Sequence, residues 1–404
     1  MVVLALVAAG VMLFYQVLDT GFWSTEDLHE LSVAASAGAE GSLADMLRPA
    51  LSGGYRVNPI LLLEFRHFGL DARAYYIVNL LVHILNAFLA YVLVASLVHR
   101  RREAAIAALL FVLGVGSYGK NVMQVAGISS LAYASICLGA TLLYVQNEKR
   151  CAGRLFTPWA VGFFAILLVS LFMRGSTFSI VASCVFYNVF FAGERGRRVL
   201  HTNLIVCLSI TLGFLIVRAA TGRDVAPSDV GAFLRNLPGY LILMVFPLQQ
   251  SELLEHAPAL VRAVYAAAPV LRILVGLTIV SYSLFGFIFG GRAIRFYIAW
   301  MYVMITPFAF FSYPQDWLNI RFLYLVSLGF CVLLTTGTIY GYKLLIHRPE
   351  RRLLPFAIPL FYAGLSVFLV GQLNHKNELL ARQPAIRNVL ANVERAMAAT
   401  GVEP

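Results

Sequence analysis

The sequence predicts an all-α polytopic membrane protein with about eleven transmembrane helices. Three observations carry that reading. Of the 404 residues 60% are hydrophobic and only 13% charged, with a mean hydropathy of +0.79, whereas a soluble domain of this length needs a far more polar surface. The apolar runs are roughly 18 to 25 residues each, enough to cross a hydrocarbon core of about 30 Å as helix. They also lack the period-two alternation of barrel strands, and a segment in lipid has to satisfy its own backbone hydrogen bonds.

Charge placement orients the chain. A net charge of +11 would raise the question of nucleic acid in a soluble protein. Here about half of the 31 Lys and Arg fall in short loops that an alternating topology puts on one side: Arg100 to Arg102, Lys149 to Arg154, Arg195 to Arg198, Arg292 to Arg295, and Lys343 to Arg352. The positive-inside rule makes that side cytoplasmic, so the partner is a lipid bilayer and no nucleic acid is expected. The five cysteines, Cys137, Cys151, Cys184, Cys207 and Cys331, sit on no metal-ligand spacing and outside any external loop. They indicate neither a disulfide framework nor a zinc site.

The run Met1 to Leu18 lacks a basic start and a small-residue cleavage site, so it reads as a retained helix that carries the chain outward. The loop from Asp19 to Ala74 is too long for a simple connector. Leu28, Leu31 and Ala35 share one helical face, and Leu43, Met46, Leu47 and Leu51 share another, so two amphipathic helices along the membrane surface are expected there. Helix 2, about Tyr75 to Val98, carries Asn79, His83 and Asn86 at spacings of four and three, on one face. Two helices follow around the turn Ser117 to Asn121, the first short enough to leave Lys120 facing a cavity. Helices near Leu155 to Met173 and Ser176 to Phe191 flank Arg174, and the helix from Leu200 emerges at Arg218.

The stretch Leu237 to Pro247 is too short to span, so the second large external loop, residues 219–269, is expected to hold a re-entrant or interfacial segment. Helices then follow at about Val270 to Phe289, Ile294 to Phe311, Phe322 to Leu345 and Leu353 to Gln372. Residues 1–372 thus form one transmembrane domain, and the tail 373–404 suits one external surface helix. No internal repeat, low-complexity segment or appended soluble catalytic domain is visible.

Candidate chemistry gathers at the predicted outer ends. Glu26 and Asp27 follow the first helix, and Ser24-x-x-Asp27 has two readings: an acid available for catalysis, or a capping box that satisfies free N–H groups. Asn79, His83 and Asn86 are costly at bilayer depth unless partnered, so they are either interhelical hydrogen-bond glue or part of a cavity wall. Arg56, Lys120, Arg174, Arg218 and Arg321 either anchor helix ends or together make a basic pocket for a phosphate. No P-loop, GxGxxG, HExxH or nucleophile elbow is present, so nucleotide and metalloprotease chemistry of the soluble kind is unsupported.

Several segments resemble the GT-C superfamily of polyprenyl-phosphate-sugar-dependent membrane glycosyltransferases, in particular those like protein O-mannosyltransferases and their bacterial relatives. They are Tyr55-Arg56-Val57-Asn58-Pro59 with FRHFGLDARAYYIVNLLVHILNAFLAYVL from Phe65, then NLPGYLILMVFPLQ from Asn236, and NIRFLYLVSLGF from Asn319. The resemblance covers about two-thirds of the chain. It implies an inverting transferase of the cell envelope whose first external loop carries an acidic general base, and Glu26-Asp27 stands in that place. It further implies a polyprenyl-phosphate sugar donor, an external glycan, lipid or protein acceptor, and a bacterial-type inner membrane, with the N terminus cytoplasmic and the C terminus outside. The chain departs from the family pattern at Arg174-Gly175, Lys120-Asn121 and Val326, where relatives often have Lys-Glu, an acid and Pro. No cofactor is identified, and a divalent cation stays open. Two alternatives accompany the transferase: a transporter or flippase for a lipid-linked sugar, and a non-catalytic membrane subunit of the same fold.

Overall fold

A computed structural model describes residues 1–38, 59–114, 121–152, 154–171, 176–191, 202–220, 230–245, 268–310, 318–346 and 356–400. Among these there is no strand. Five helical stretches are long and apolar enough to cross a membrane: Val2–Asp19, Ala72–Val98, Val125–Arg150, Ile320–Tyr342 and Ala357–Ala381. Shorter apolar helices lie at Pro158–Leu171, Thr177–Phe191, Thr202–Ile216, Val230–Leu243 and Ile273–Phe289.

In chain order, α1 (Val2–Phe14) tightens into a 3-10 turn, Tyr15–Asp19, and α2 (Thr25–Gly38) and α3 (Pro59–Phe68) follow. The long α4 (Ala72–Val98) starts at Asp71, whose side chain accepts the Arg73 N–H at 3.0 Å, and ends where His99 turns left-handed at φ 59°. Next come α5 (Arg101–Leu113), the 3-10 turn Val125–Gly127 leading into α6 (Ile128–Arg150), α7 (Pro158–Leu171), α8 (Ser176–Phe191) and α9 (Thr202–Ala220). The second half holds α10 (Val230–Leu243), α11 (Ala268–Phe289) and α12 (Arg292–Ala309). A 3-10 turn at Ile320–Phe322 opens α13 (Leu323–Val332), a π turn at Leu333–Gly337 joins it to α14 (Thr338–Ile346), and α15 (Ala357–Ala381) and α16 (Pro384–Thr400) complete the chain.

Burial decides which helix is central. The most apolar window of Ile320–Tyr342 is 89% buried, against 28% for Val2–Asp19, so α13 is the axis of the bundle and α1 its rim. α13 packs on α12 and α5, α4 packs on α5 and α6, and α8 bridges α6 to α12. Gly329 allows the α12–α13 contact: a Cβ there would stand 2.5 Å from the Tyr297 carbonyl oxygen and 2.9 Å from Met301 Cβ. Small residues bring helix backbones together in this way where lipid supplies no hydrophobic drive. Trp300 Nε1 donates to the Leu325 carbonyl at 3.0 Å across the same seam.

The two ends of the chain meet on one side of this axis. Asn374 on α15 donates to Gln16 at 3.4 Å, just past α1, and α16 folds back to pack on α2 with Ile386 and Val393 buried. α15 continues past Gln372, the boundary expected from sequence, to Ala381, because the polar residues Asn374 and Asn377 sit on its buried face and not in a tail. The segment between α1 and α4 contains α2, where an amphipathic helix was anticipated. Its second expected helix, at Leu43 to Leu51, lies outside the described residues. α3, which begins on Pro59 as a helix-initiating residue, was not anticipated. The short stretch at Leu237 forms α10 with Pro238 inside it.

Candidate functional site

The approach to α2 is tied down before the helix begins. Tyr76 donates its hydroxyl to the Gly21 carbonyl at 2.9 Å, and Trp23 Nε1 donates to the Met123 carbonyl at 2.6 Å. Ser24 then caps α2: its Oγ accepts the Glu26 N–H at 3.2 Å, and its carbonyl takes the Leu28 N–H at 3.2 Å. Asp27 does not complete the capping box. Its carboxyl turns away from its own helix, and Oδ1 accepts the Ala126 N–H at 3.0 Å, with the Val125 N–H also directed at it. Those are amides of the turn that opens α6, where a helix start favours an anion or a strong acceptor. The second oxygen, Oδ2, is buried with no hydrogen-bond partner among the described residues.

Glu26 lies beside it and faces a different group. One carboxylate oxygen pairs with the Arg321 guanidinium, 295 residues away in sequence, and the other accepts from Gln124 Nε2 at 3.1 Å. Gln124 Nε2 also reaches Ser24 Oγ at 2.8 Å, and the Gln124 carbonyl accepts Asn79 Nδ2 at 2.8 Å. Arg321 is fixed on three sides. Asn319 Oδ1 accepts its N–H at 3.1 Å, Asn121 donates to its carbonyl at 3.2 Å, and the next residue, Phe322, stacks on Phe308 of α12 with ring centroids 4.1 Å apart. The starts of α2, α6 and α13 and one turn of α4 therefore converge on Ser24, Glu26, Asp27, Asn79, Gln124 and Arg321.

Burial sets the charge state of Asp27. Loss of water pushes its carboxyl from 3.8 up to about 8; the Ala126 N–H opposes this, neighbouring Glu26 adds to it, and Arg321 opposes it. Asp27 is thus mostly protonated at neutral pH, poised to lose a proton slightly above it. Glu30, one turn further along α2, is also raised by partial burial and by Glu26.

One tier deeper, the polar stripe of α4 is occupied in packing. His83 Nδ1 meets the Tyr324 hydroxyl at 2.6 Å, and Nε2 faces the Val112 carbonyl at 3.3 Å. Asn86 donates to the Leu131 carbonyl at 2.9 Å and to Tyr324 at 3.3 Å, and accepts from Ser135 at 2.6 Å. His83 and Asn86 are fully buried in this arrangement, which ties α4 to α5, α6 and α13 and matches the interhelical-glue reading. Of the stripe, Asn79 alone joins the upper cluster, with Oδ1 unpartnered among the described residues.

Among the basic candidates, Arg321 is in the cluster and Arg218 lies in the last turn of α9. Arg56, Lys120 and Arg174 fall outside the described residues. Sequence reasoning missed Gln124, Tyr324 and Glu64. Gln124 and Tyr324 are single polar residues in apolar surroundings with no periodic partner to mark them. Glu64 is 7% exposed on the inner face of α3; neither carboxyl oxygen has a partner among the described residues, and desolvation pushes it up to about 8. A carboxylate one residue before an apolar Phe was its only signal.

No group of three or more His, Cys, Asp or Glu among the described residues could hold a metal ion. Away from the cluster, α10, α11 and α12 enclose a groove of about 670 Å³ lined by Leu237, Leu241, Ile273, Leu277 and Leu284, with Ser283 and Tyr302 as its few polar groups. Asn236 on α10 donates to the Ala309 carbonyl at 3.0 Å and fixes one wall of it to α12. No protein-family model, curated protein or solved structure matches the chain.

Proposed function

We propose that the chain is a membrane glycosyltransferase of the GT-C kind, transferring a sugar from a polyprenyl-phosphate donor to a glycan, lipid or protein acceptor outside the cytoplasm. One observation carries this reading. Asp27 and Glu26, the residues placed for acid–base work, and Arg321, a candidate phosphate ligand, come from opposite ends of the sequence and meet in one cluster. In the proposed reaction Asp27 takes the proton from an acceptor hydroxyl as it attacks the anomeric carbon from the face opposite the leaving group, which inverts the centre. A carboxylate that titrates near 8 is a stronger proton acceptor than an ordinary one, and it acts through the ionised fraction, which is the minority at pH 7 and grows as pH rises toward 8. Arg321 steadies the charge on the departing lipid phosphate, and Glu26 keeps its guanidinium aimed until substrate arrives. The apolar groove of α10, α11 and α12 is the place for an isoprenoid tail.

Asp27 Oδ2 is enclosed in this conformation, so acceptor binding has to part α2 from the Val125–Gly127 turn. The reading includes about eleven spans, an inner-membrane location, a cytoplasmic N terminus and an external C terminus. The meeting of α15 with the end of α1 supports an odd number of crossings. The test is to present membranes with a panel of polyprenyl-phosphate sugars, wild type beside Asp27→Asn. Transfer by the wild type and none by a folded, inserted Asp27→Asn is expected; normal turnover by that variant removes Asp27 from the mechanism.

The transporter reading draws on a separate observation. Asp27 and Glu64 are two buried carboxyls that change charge near neutrality, as a proton-coupled carrier requires. Movement of a lipid-linked sugar in reconstituted vesicles, with no transfer, favours it over the transferase.

A further inference from the structure

We propose that the groove of α10, α11 and α12 binds one glycerophospholipid of the leaflet that the α11–α12 turn faces, Ser283 donating to an ester carbonyl and Arg295 to the phosphodiester. The apolar wall suits a chain. Ile273, Leu277, Val280, Leu284 and Phe287 line the groove and recur at three- and four-residue spacings, on one face of α11. That stripe covers roughly 21 Å of helix. Ile273, Leu277 and Leu284 are each more than half exposed, so the groove opens sideways and a chain can enter it from the bilayer.

Ser283 interrupts the stripe. It is 2% exposed, it lines the groove, and its Oγ has no hydrogen-bond partner among the described residues. A hydroxyl in an apolar helix commonly donates to the carbonyl four residues back, as Thr278 does to Leu274 at 2.7 Å. Ser283 makes no such bond. The Tyr302 hydroxyl faces the groove from α12, near enough to Ser283 to interact but without a formed hydrogen bond. Arg295 closes the end of the groove. It stands one helical turn before Ile298, which lines the groove, and its Nη2 donates to the Ile288 carbonyl at 2.9 Å, next to Phe287. An arginine that only anchors a helix end extends its fork to water. This fork is turned back onto α11, and its buried Nε has no hydrogen-bond partner among the described residues. Arg292 lies exposed beside the same turn.

Both orphaned groups are donors, so the ligand has to bring acceptors to two places. Ser283 and Ile288 are separated by about 7 Å of helix rise, which is the span that glycerol puts between an ester carbonyl and its phosphate. A polyprenyl phosphate is hydrocarbon up to its phosphate and leaves Ser283 unpaired. The phospholipid therefore holds the groove until a donor tail displaces it. The site rests on the groove alone and not on the transferase reading, so lipid binding can fail while sugar transfer stands, and the reverse.

The experiment strips the full chain of lipid in detergent and adds dioleoylphosphatidylglycerol, its diether analogue or inorganic phosphate, counting bound lipid by native mass spectrometry. A phosphatidylglycerol with a diazirine in one acyl chain then maps the site by photolabelling. One diester lipid per chain is expected, with label on peptides from Ile273 to Phe287. Wild type should hold the diether about three- to tenfold more weakly, and Ser283→Ala should hold the two lipids alike. Arg295→Gln should weaken both lipids about tenfold or more, and inorganic phosphate should displace neither. Should Arg295→Gln fail to fold, the comparison of diester with diether in wild type and Ser283→Ala decides alone. Equal binding of the two lipids by wild type overturns the ester contact. Label spread evenly over the exposed faces of other helices overturns the site, and displacement by inorganic phosphate gives Arg295 to a free anion instead.

Discussion

Replacing Asp27 by Asn separates the fold from the chemistry, because the structure makes Asp27 a neutral group at pH 7. A carboxyl pushed up to about 8 is protonated in roughly nine molecules of ten at that pH, and Asn has nearly the shape of the neutral acid. Its amide oxygen can keep the 3.0 Å bond from the Ala126 N–H, and its NH₂ falls where Oδ2 has no partner among the described residues. The cost to stability is therefore expected to stay below about 1 kcal/mol, whereas Asp27→Ala strands a buried N–H and costs about 1–3 kcal/mol. On the proposed mechanism both variants should lose sugar transfer. Unfolding midpoints in detergent, read beside transfer in membranes, separate the two effects. An Asn variant as unstable as the Ala variant refutes the neutral carboxyl, and one that transfers sugar at the wild-type rate refutes the base. The same group sets two pH dependences. If its ionised form is the base, the rate rises about fifty-fold between pH 6 and pH 8 and then levels. Between 3.8 and about 8 the folded chain holds a proton that the unfolded chain has lost. The stability contributed is thus complete below 3.8 and drains away as pH rises through about 8, at up to about 1.4 kcal/mol per pH unit. Asp27→Asn removes that slope.

Glu64→Gln flattens stability against pH in the same direction, since Glu64 is also raised to about 8, and Glu64→Leu raises the unfolding midpoint by about 1–3 kcal/mol equivalent if that carboxyl has no partner in the working protein. A double-mutant cycle on Glu26→Gln and Arg321→Gln should give a coupling of about 1 kcal/mol or less in unfolding, since the pair is partly exposed. Transfer should fall far more, and a cycle with no effect on either readout removes the pair from the site. Tyr324→Phe leaves His83 and Asn86 short of one shared partner and should destabilise by about 1–3 kcal/mol. Gly329→Ala drives a methyl into the Tyr297 carbonyl and should cost about 1–3 kcal/mol or block folding, as seen in expression level and unfolding midpoint.

Helices declared themselves in the sequence wherever hydrophobicity alone decides them. The run from Tyr75 to Val98 could be read directly, and its true start at Ala72 is set by the Asp71 cap, a side-chain bond and not an apolar signal. α3 is hidden because Glu64, Arg66 and His67 break its apolar rhythm, although Glu64 turns inward. The site was half legible. Glu26, Asp27 and Arg321 could be named from charge at helix ends, but the salt bridge across 295 residues and the choice of Asp27 to serve α6 and not its own helix are tertiary facts. Gln124 could not be found, since an amide in an apolar run carries no periodicity, and here it receives or donates at four residues' worth of contacts from three segments.

The return of α16 onto α2 makes the end of the chain a reporter of the site. α2 is clamped between α3 and α16, so a movement of α2 that uncovers Asp27 has to carry or release the last helix. A fluorophore at Val389, which faces outward from α16, would change its surroundings when substrate binds without touching the cluster. Conversely, a bulky fusion close behind α16 loads the same clamp, and a tag at Met1, at the far end of α1 from Gln16, leaves it alone.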